Sequence, residues 1–407
     1  MGKVIVFCAD GTWNGPGEPD SDNTESPPTN VFKLFLNLDG ENQQDGQGGQ
    51  AKPVAATLRQ EQERVLTGAD GAVLQHAKYL HGVGDSDNLL VQLLGGALGV
   101  GLITRIVRGY TFISRTYVPG DRIVILGFSR GAYTARALAG MIAAKGLLDA
   151  AKVQLDQRET AYKLGAAVWY AYRQQAARAQ PDWLVRLTSF VVDRPGFVRQ
   201  PVPDALLLHA PIEAVAVWDT VGALGIPTYA LDAHRLDFFQ FADRVLSPIV
   251  AHGLHAVAVD ERRSDFTPTL WEPDGRILQA LFPGSHSDVG GGYPGPGPEC
   301  GLSDATLAWM TERLAALGVC FRKTPAYAPR PDSRATAHAP WRHGVWMGLT
   351  QEPRAFPAGL YVAEEVADRA GAPACVPDPG LPACPYDPAN LPGYLVGGVI
   401  AQGATMV

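Results

Sequence analysis

Residues 123–136 read Ile-Val-Ile-Leu-Gly-Phe-Ser-Arg-Gly-Ala-Tyr-Thr-Ala-Arg, and the fold turns on how they are interpreted. Four apolar residues in succession, 123–126, suit a strand buried on both faces. Gly127-Phe128-Ser129-Arg130-Gly131 then fits G-x-S-x-G, and residues 132–141 read as a helix. Strand, sharp turn and helix form the context in which that pattern marks a nucleophile elbow, with the serine hydroxyl raised above the sheet. Ser129 has to take a strained backbone conformation there, and a side chain at 127 or 131 would collide across so tight a turn. The following helix aims its first amides at a developing oxyanion. The alternative is a plain glycine–serine loop; the buried strand before it and the helix after it argue for the elbow.

Outward from this stretch the same texture recurs. Residues 4–7, 77–80, 212–217 and 277–282 read as further buried strands, and residues 30–38, 104–117, 150–180, 244–259 and 303–317 as helices. Ser303 is placed to cap the last of these. Residues 38–60 are acidic and rich in glycine and glutamine, which reads as a surface loop. Alternating strands and helices imply an α/β fold, an α/β-hydrolase-like, mostly parallel, doubly wound sheet. Residues 1–320 are expected to form the catalytic domain. Within it 150–210 is a candidate helical cap or insertion, with a buried helical layer as the other reading. Beyond residue 320 proline becomes frequent and periodicity fades, so 321–407 is expected to be an irregular extension packed on the core.

The 407 residues, 46% hydrophobic and 18% charged, can bury a large core. A formal net charge of -7, with no basic arm, argues against a nucleic-acid partner. The five cysteines show no metal-ligand spacing, although Cys375 and Cys384 can pair if oxidised. No signal peptide is evident at the N-terminus, and the myristoylation pattern fails at Val6, so the chain is expected to be cytoplasmic as synthesised. Residues 89–107 are apolar but contain Gln92 and Arg105, which favours a buried or lipid-facing helix over a transmembrane span.

Ligands in an open parallel sheet collect at the carboxyl ends of its strands. Asp10, Ser129, Asp219 and His286 follow four of the expected strands. A serine hydroxyl is a poor nucleophile until an imidazole takes its proton, and that imidazole needs a carboxylate to fix its tautomer. Ser129 is therefore assigned as nucleophile, His286 as general base and then acid, and Asp219 as the orienting acid. The order Ser-Asp-His is the one expected of this fold. His81, His252, His255 and His343 compete with His286, which alone combines a strand end with a glycine-rich loop. Asp288 is the rival acid and is better placed to brace that loop. The oxyanion hole is assigned to the amide of Arg130 and to Gly11 or Thr12 in the loop after the first strand.

This chemistry calls for neither metal nor cofactor. Two other classes stay open. Asp10, Asp219, His286 and Asp288 could hold a divalent ion for a phosphohydrolase, or the fold could serve as a non-catalytic binding scaffold. Asp10-Gly11-Thr12 also suggests a haloacid-dehalogenase-type phosphatase, but Cys8 stands where that chemistry needs its nucleophilic aspartate.

Five blocks, F-C-A-D-G-T-W-N (7–14), G-F-S-R-G-A-Y-T-A-R (127–136), V-W-D-T-V-G-A-L-G (217–225), H-A-V-A-V-D-E-R-R (255–263) and F-P-G-S-H-S-D-V-G-G-G-Y (282–293), together resemble one family. It is the α/β-hydrolase domain of the phospholipase effectors of bacterial type VI secretion and their uncharacterised relatives. The resemblance covers roughly residues 1–320. It implies a triad on Ser129, Asp219 and His286, carboxylester hydrolysis and a glycerophospholipid substrate met at a membrane surface. It further implies delivery into a target cell, with secretion-apparatus and immunity-protein partners. The apolar 89–102 stretch and the Trp169 region are expected to admit acyl chains.

Overall fold

In β1 (Val4–Ala9) every side chain is apolar and buried, yet alternate residues face opposite ways. Ile5, Phe7 and Ala9 enter one hydrophobic cluster, while Val4, Val6 and Cys8 enter another. A strand covered on both faces is what a parallel sheet between two helical layers requires. The computed structural model describes residues 2–11, 27–43, 61–81, 100–178, 202–221, 244–295, 297–348, 350–388, 390–391, 395–396 and 399–400.

The remaining described strands in chain order are β2 (Glu41–Asn42), β3 (Gln62–Thr67), β4 (Val73–Leu80), β5 (Arg122–Phe128), β6 (Leu147–Leu148), β7 (Leu207–Leu208), β8 (Ile212–Trp218), β9 (Val250–Ala258), β10 (Ile277–Phe282), β11 (Tyr361–Val362), β12 (Leu395–Val396) and β13 (Val399–Ile400). With β1, eight of these form one nine-stranded sheet in the order β11-β10-β9-β8-β5-β1-β4-β3-β2. Pairing is parallel from β4 through to β11, and antiparallel only at the β4-β3-β2 edge. The small antiparallel β6–β7 and β12–β13 pairs lie outside it. The chain runs from β1 to β4 on one side and then to β5 on the other, which puts the topological switch between β1 and β5.

Helices α1 (Asn30–Asn37), α2 (Val100–Thr116), α3 (Arg130–Lys145), α4 (Arg158–Arg178), α5 (His286–Gly290), α6 (Gly301–Ala316) and α7 (Glu364–Gly371) complete the described α-helices. Phe32 and Phe35 of α1 pack with Leu307 and Met310 of α6 on one face. Val107 and Tyr110 of α2, Leu138 and Met141 of α3 and Tyr162 of α4 pack on the other. The α/β class and the mostly parallel, doubly wound sheet expected from the sequence are what the chain forms.

Several local expectations need correction. Residues 244–259, expected as a helix, instead carry β9, which sits between β8 and β10. Its His, Gly and Ala residues show no period-2 alternation because both faces are buried, so periodicity cannot separate strand from helix there. The β3–β4 hairpin was not expected; β3 pairs through Arg64, whose guanidinium reaches the Phe35, Leu36 and Leu38 carbonyls at the end of α1. Cys300, not Ser303, is the cap residue of α6. Ser303 lies buried in the first turn and donates back to the Cys300 carbonyl at 2.9 Å. In the 150–210 region, α4 is a packed layer, with Trp169 buried against Tyr172; residues 179–201 lie outside those described, as does the 89–99 part of the apolar stretch.

The extension after residue 320 is fastened to the sheet. Tyr361–Val362 adds β11 beside β10, and Leu360, Val362, Val366 and Leu391 form a cluster with Val257 and Leu281. Cys375 and Cys384 face each other in a bridge with both backbone bonds made, at 2.8 and 3.0 Å, and both are free thiols. Among the described residues, no helix is long and apolar enough to cross a membrane.

The elbow imposes sharp steric demands on its glycines. A Cβ on Gly131 would overlap the carbonyl oxygens of Ala9 and Asp10 at the end of β1, and backbone in a central strand has little room to move. Gly131→Ala is therefore expected to lower stability by about 3 kcal/mol. Urea unfolding checks this; an unchanged midpoint would show that β1 yields.

Candidate active site

β5 ends at Phe128 and α3 begins at Arg130, leaving Ser129 alone in the turn with φ 57° and ψ -124°. Only two described non-glycine residues have positive φ: Ser129, and Asp219 with φ 36°. Such conformations persist only where the surroundings enforce them, and here both lie at neighbouring strand ends. Phe128 pairs with Trp218 across β5 and β8, and the Ser129 amide donates to the Trp218 carbonyl at 3.1 Å. Gly11 closes the other side; a Cβ there would stand 3.4 Å from Ser129 Cβ. The nucleophile candidate thus sits at the switch between β1 and β5.

His286 opens α5, just past β10, and its ring lies 4.6 Å from that of Phe128, next to the elbow. Phe266 meets the same ring edge-on at 4.9 Å. His286 Nδ1 is 2.6 Å from Asp219 Oδ2. A carboxylate only accepts, so Nδ1 carries the proton and Nε2 is left as the basic nitrogen. Burial pushes the imidazole below the ordinary histidine pKa against the pull of the Asp219 carboxylate, which keeps it neutral near pH 7. Burial alone would raise the pKa of Asp219; the Arg354 guanidinium and the His286 hydrogen bond outweigh it and hold the carboxyl well below its usual range.

Arg354 was missed by sequence reasoning. It donates to both Asp219 oxygens, at 2.7 and 2.9 Å. It lies in an irregular, proline-rich region with no motif to mark it. Glu261 and Arg263 were missed as well. Glu261 accepts the His286 amide at 3.2 Å and pairs with Arg263, whose guanidinium lies over Phe266. A strand reading of 250–258 would have placed both at a strand end beside the site. His255, a rejected rival, has a different task. Its Nε2 accepts the amide of Thr220, the residue after Asp219, and its Nδ1 donates to Gln279. Burial lowers its pKa to about 3, so it is a neutral brace.

The other candidates are engaged in structure. Asp10 accepts from the Gly11 amide (2.6 Å), Thr29 (2.7 Å) and Tyr79 (2.6 Å), and burial still raises its pKa. Thr29 caps α1, so Asp10 ties the β1 loop to that helix. Asp288 accepts from the Ser285 amide and hydroxyl and pairs with His338 at 2.6 Å, bracing the loop that carries His286. His252 is half exposed near Glu213, and His343 contacts Asp378 in the extension. His81 lies 3.5 Å from the Tyr79 hydroxyl. Asp10, Asp219, His286 and Asp288 do not converge on one point. Among the described residues, no three His, Cys, Asp or Glu side chains are placed to hold a metal. Thr12 lies outside the described residues, and the Gly11 amide is directed at Asp10.

Two solved structures share part of the chain. An uncharacterized protein from Pseudomonas aeruginosa is 17% identical, covering 79% of this chain and 46% of its own, with a TM-score of 0.35. The Tle1 effector bound to the VgrG spike from the type VI secretion system is 16% identical, covering 72% and 52%, also with a TM-score of 0.35. In sequence, the uncharacterized protein YEL023C of Saccharomyces cerevisiae (strain ATCC 204508 / S288c) is 29% identical over 279 residues, 67% of this chain and 33% of that protein. The chain thus spans about a third of the length of the yeast protein and about half of the solved chains. Residues 3–313, which include the elbow, Asp219 and His286, match the family model described as "T6SS, Phospholipase effector Tle1-like, catalytic domain", and the chain belongs to that family.

Proposed function

We propose that this chain is a serine-dependent carboxylester hydrolase acting on phospholipids. Ser129 Oγ attacks the acyl carbonyl while His286 Nε2 takes its proton. The oxyanion is held by the Arg130 amide at the start of α3; the Gly11 amide, bonded to Asp10, takes no part. His286 then protonates the leaving alcohol, and water activated by the same imidazole releases the fatty acid from Ser129. Asp219 holds the ring and balances the imidazolium. The observation that carries this reading is the 2.6 Å His286–Asp219 bond, with the His286 ring against Phe128 of a strained serine elbow.

Membership of the phospholipase effector family supports a lipid ester as substrate. By the same reasoning we assign the catalytic domain to residues 1–320, with 321–407 folded onto it. Delivery by a type VI apparatus, contact with a membrane surface, engagement of a spike protein and neutralisation by an immunity protein belong to the proposal. Among the relatives, it is the Tle1 effector that is bound to a VgrG spike.

Labelling with a fluorophosphonate, followed by a panel of mixed-phospholipid vesicles, tests the proposal. Labelling of the wild type, its loss in Ser129→Ala, and release of fatty acid with lysophospholipid are expected. A folded wild type that resists the probe but releases phosphate in an EDTA-sensitive manner would replace this reading with the metal phosphohydrolase.

A further inference from the structure

Asp219 stands at φ 36° in a buried turn, and its carboxylate must hold one rotation for Oδ2 to meet His286 Nδ1. The residue that sets this rotation comes from far along the chain. Residues 350–352 run beside 262–264, with Ser264 N donating to Thr350 O (3.2 Å), Glu352 N donating to Arg262 O (2.8 Å), and Arg263 bridged to Gln351. This pairing brings Arg354 to the carboxyl end of β8. Its guanidinium takes Asp219 as a fork, Nη1 on Oδ1 at 2.7 Å and Nη2 on Oδ2 at 2.9 Å. It also donates to the carbonyls of Ala258 (2.7 Å) and Phe266 (2.5 Å), which anchor it from two further segments. The side chain is 4% exposed. A planar fork fixes the orientation of a carboxylate where a point charge fixes only its neighbourhood.

We propose that Arg354 is a positioning residue for the ester hydrolysis, clamping Asp219 so that it orients His286, and that the extension beyond residue 313, where the family match ends, completes the active site. The proposal rests on the serine-hydrolase reading above.

The clamp also has an electrostatic effect. Among the described residues, the charged groups acting on the His286 ring are Asp219, Arg263 and Glu261, with Arg354 behind Asp219. With Arg354 in place part of the Asp219 charge is balanced, which weakens its pull on the imidazole proton. Without Arg354 the carboxylate acts unopposed, and the His286–Asp219 pair takes up its proton at higher pH. Neutral imidazole is the base, so the acid limb of kcat/KM moves upward.

The test compares the wild-type full chain with Arg354→Met and Arg354→Lys, using p-nitrophenyl butyrate across pH, with and without methylguanidinium. Arg354→Met is expected to lose about 100-fold in kcat with KM unchanged. Its acid limb should rise by about one pH unit, and methylguanidinium should restore part of its rate. Arg354→Lys keeps a cation without the fork. It should lose about 10-fold in kcat with the acid limb near its wild-type position, and it tests the clamp even where Arg354→Met does not fold. Wild-type kcat in the lysine variant, or losses with no pH shift and no rescue in a folded methionine variant, would overturn the clamp. The serine-hydrolase reading would survive that result wherever fluorophosphonate still labels the wild type. A folded wild type that is neither labelled nor active overturns both.

Discussion

Replacing Ser129 with alanine is expected to lower kcat for ester hydrolysis by about 10⁶-fold, the scale of loss when the serine of such a triad is removed. The expected residue of activity is also informative. The amides and the binding surface remain, so turnover should settle about 10³-fold above the uncatalysed reaction and not at zero. The substitution is mild for the fold. Alanine keeps the Cβ that already stands at φ 57°, so the strain of the turn is unchanged. The flanking steric demands fall on glycines; a Cβ on Gly127 would overlap the Gly131 carbonyl. Circular dichroism and a urea midpoint close to wild type, beside a lost burst with a chromogenic ester, is the expected pair of results. Activity retained within tenfold would move the chemistry to another group.

Asp219→Asn is expected to remove about 10⁴-fold of kcat, and it should also destabilise the protein. The amide can keep its oxygen toward Arg354 and the Ala258 amide, which now donate to Asp219 at 2.7 and 2.9 Å. Its NH₂ then faces His286 Nδ1, which has to become the acceptor, and the proton moves to Nε2, where Ser129 needs a base. The second effect is electrostatic. The Asp219 carboxylate is fully buried and its partner Arg354 nearly so, so the asparagine leaves an unmatched guanidinium inside the protein. Breaking a buried pair from one side costs about 3 kcal/mol or more. Rate and urea midpoint should therefore fall together, unlike the Ser129 variant. A fall in rate at constant stability would show that water or another carboxylate reaches Arg354. A fall in stability at constant rate would remove Asp219 from the catalytic assignment.

The elbow was legible because its parts are local. A continuous apolar run, two glycines and a helix are set by backbone sterics within fourteen residues, and those residues read the same with or without the rest of the molecule. The parallel sheet followed from apolar runs of strand length between helical patterns, as β1, β5, β8 and β10 show. β9 was misread for the converse reason. Buried on both sides and holding Gly253 and His255 among alanines, it carries no period that separates strand from helix. With it went the placing of Glu261 and Arg263, which depend on where that strand ends.

The sequence by itself determined the class of the fold, the elbow and the identities of the three residues whose order suits a triad. Each of these rests on chain-local chemistry or on a run of residue types. Only the tertiary structure decided that Arg354 grips Asp219, that His255 braces the turn after it, and that His338 holds the Asp288 loop. Those partners lie 135, 35 and 50 residues apart in sequence, and such contacts exist only once the sheet has brought the segments together. A buried charge has no periodicity to reveal it. Its partner is chosen by three-dimensional proximity and by the cost of leaving it unpaired.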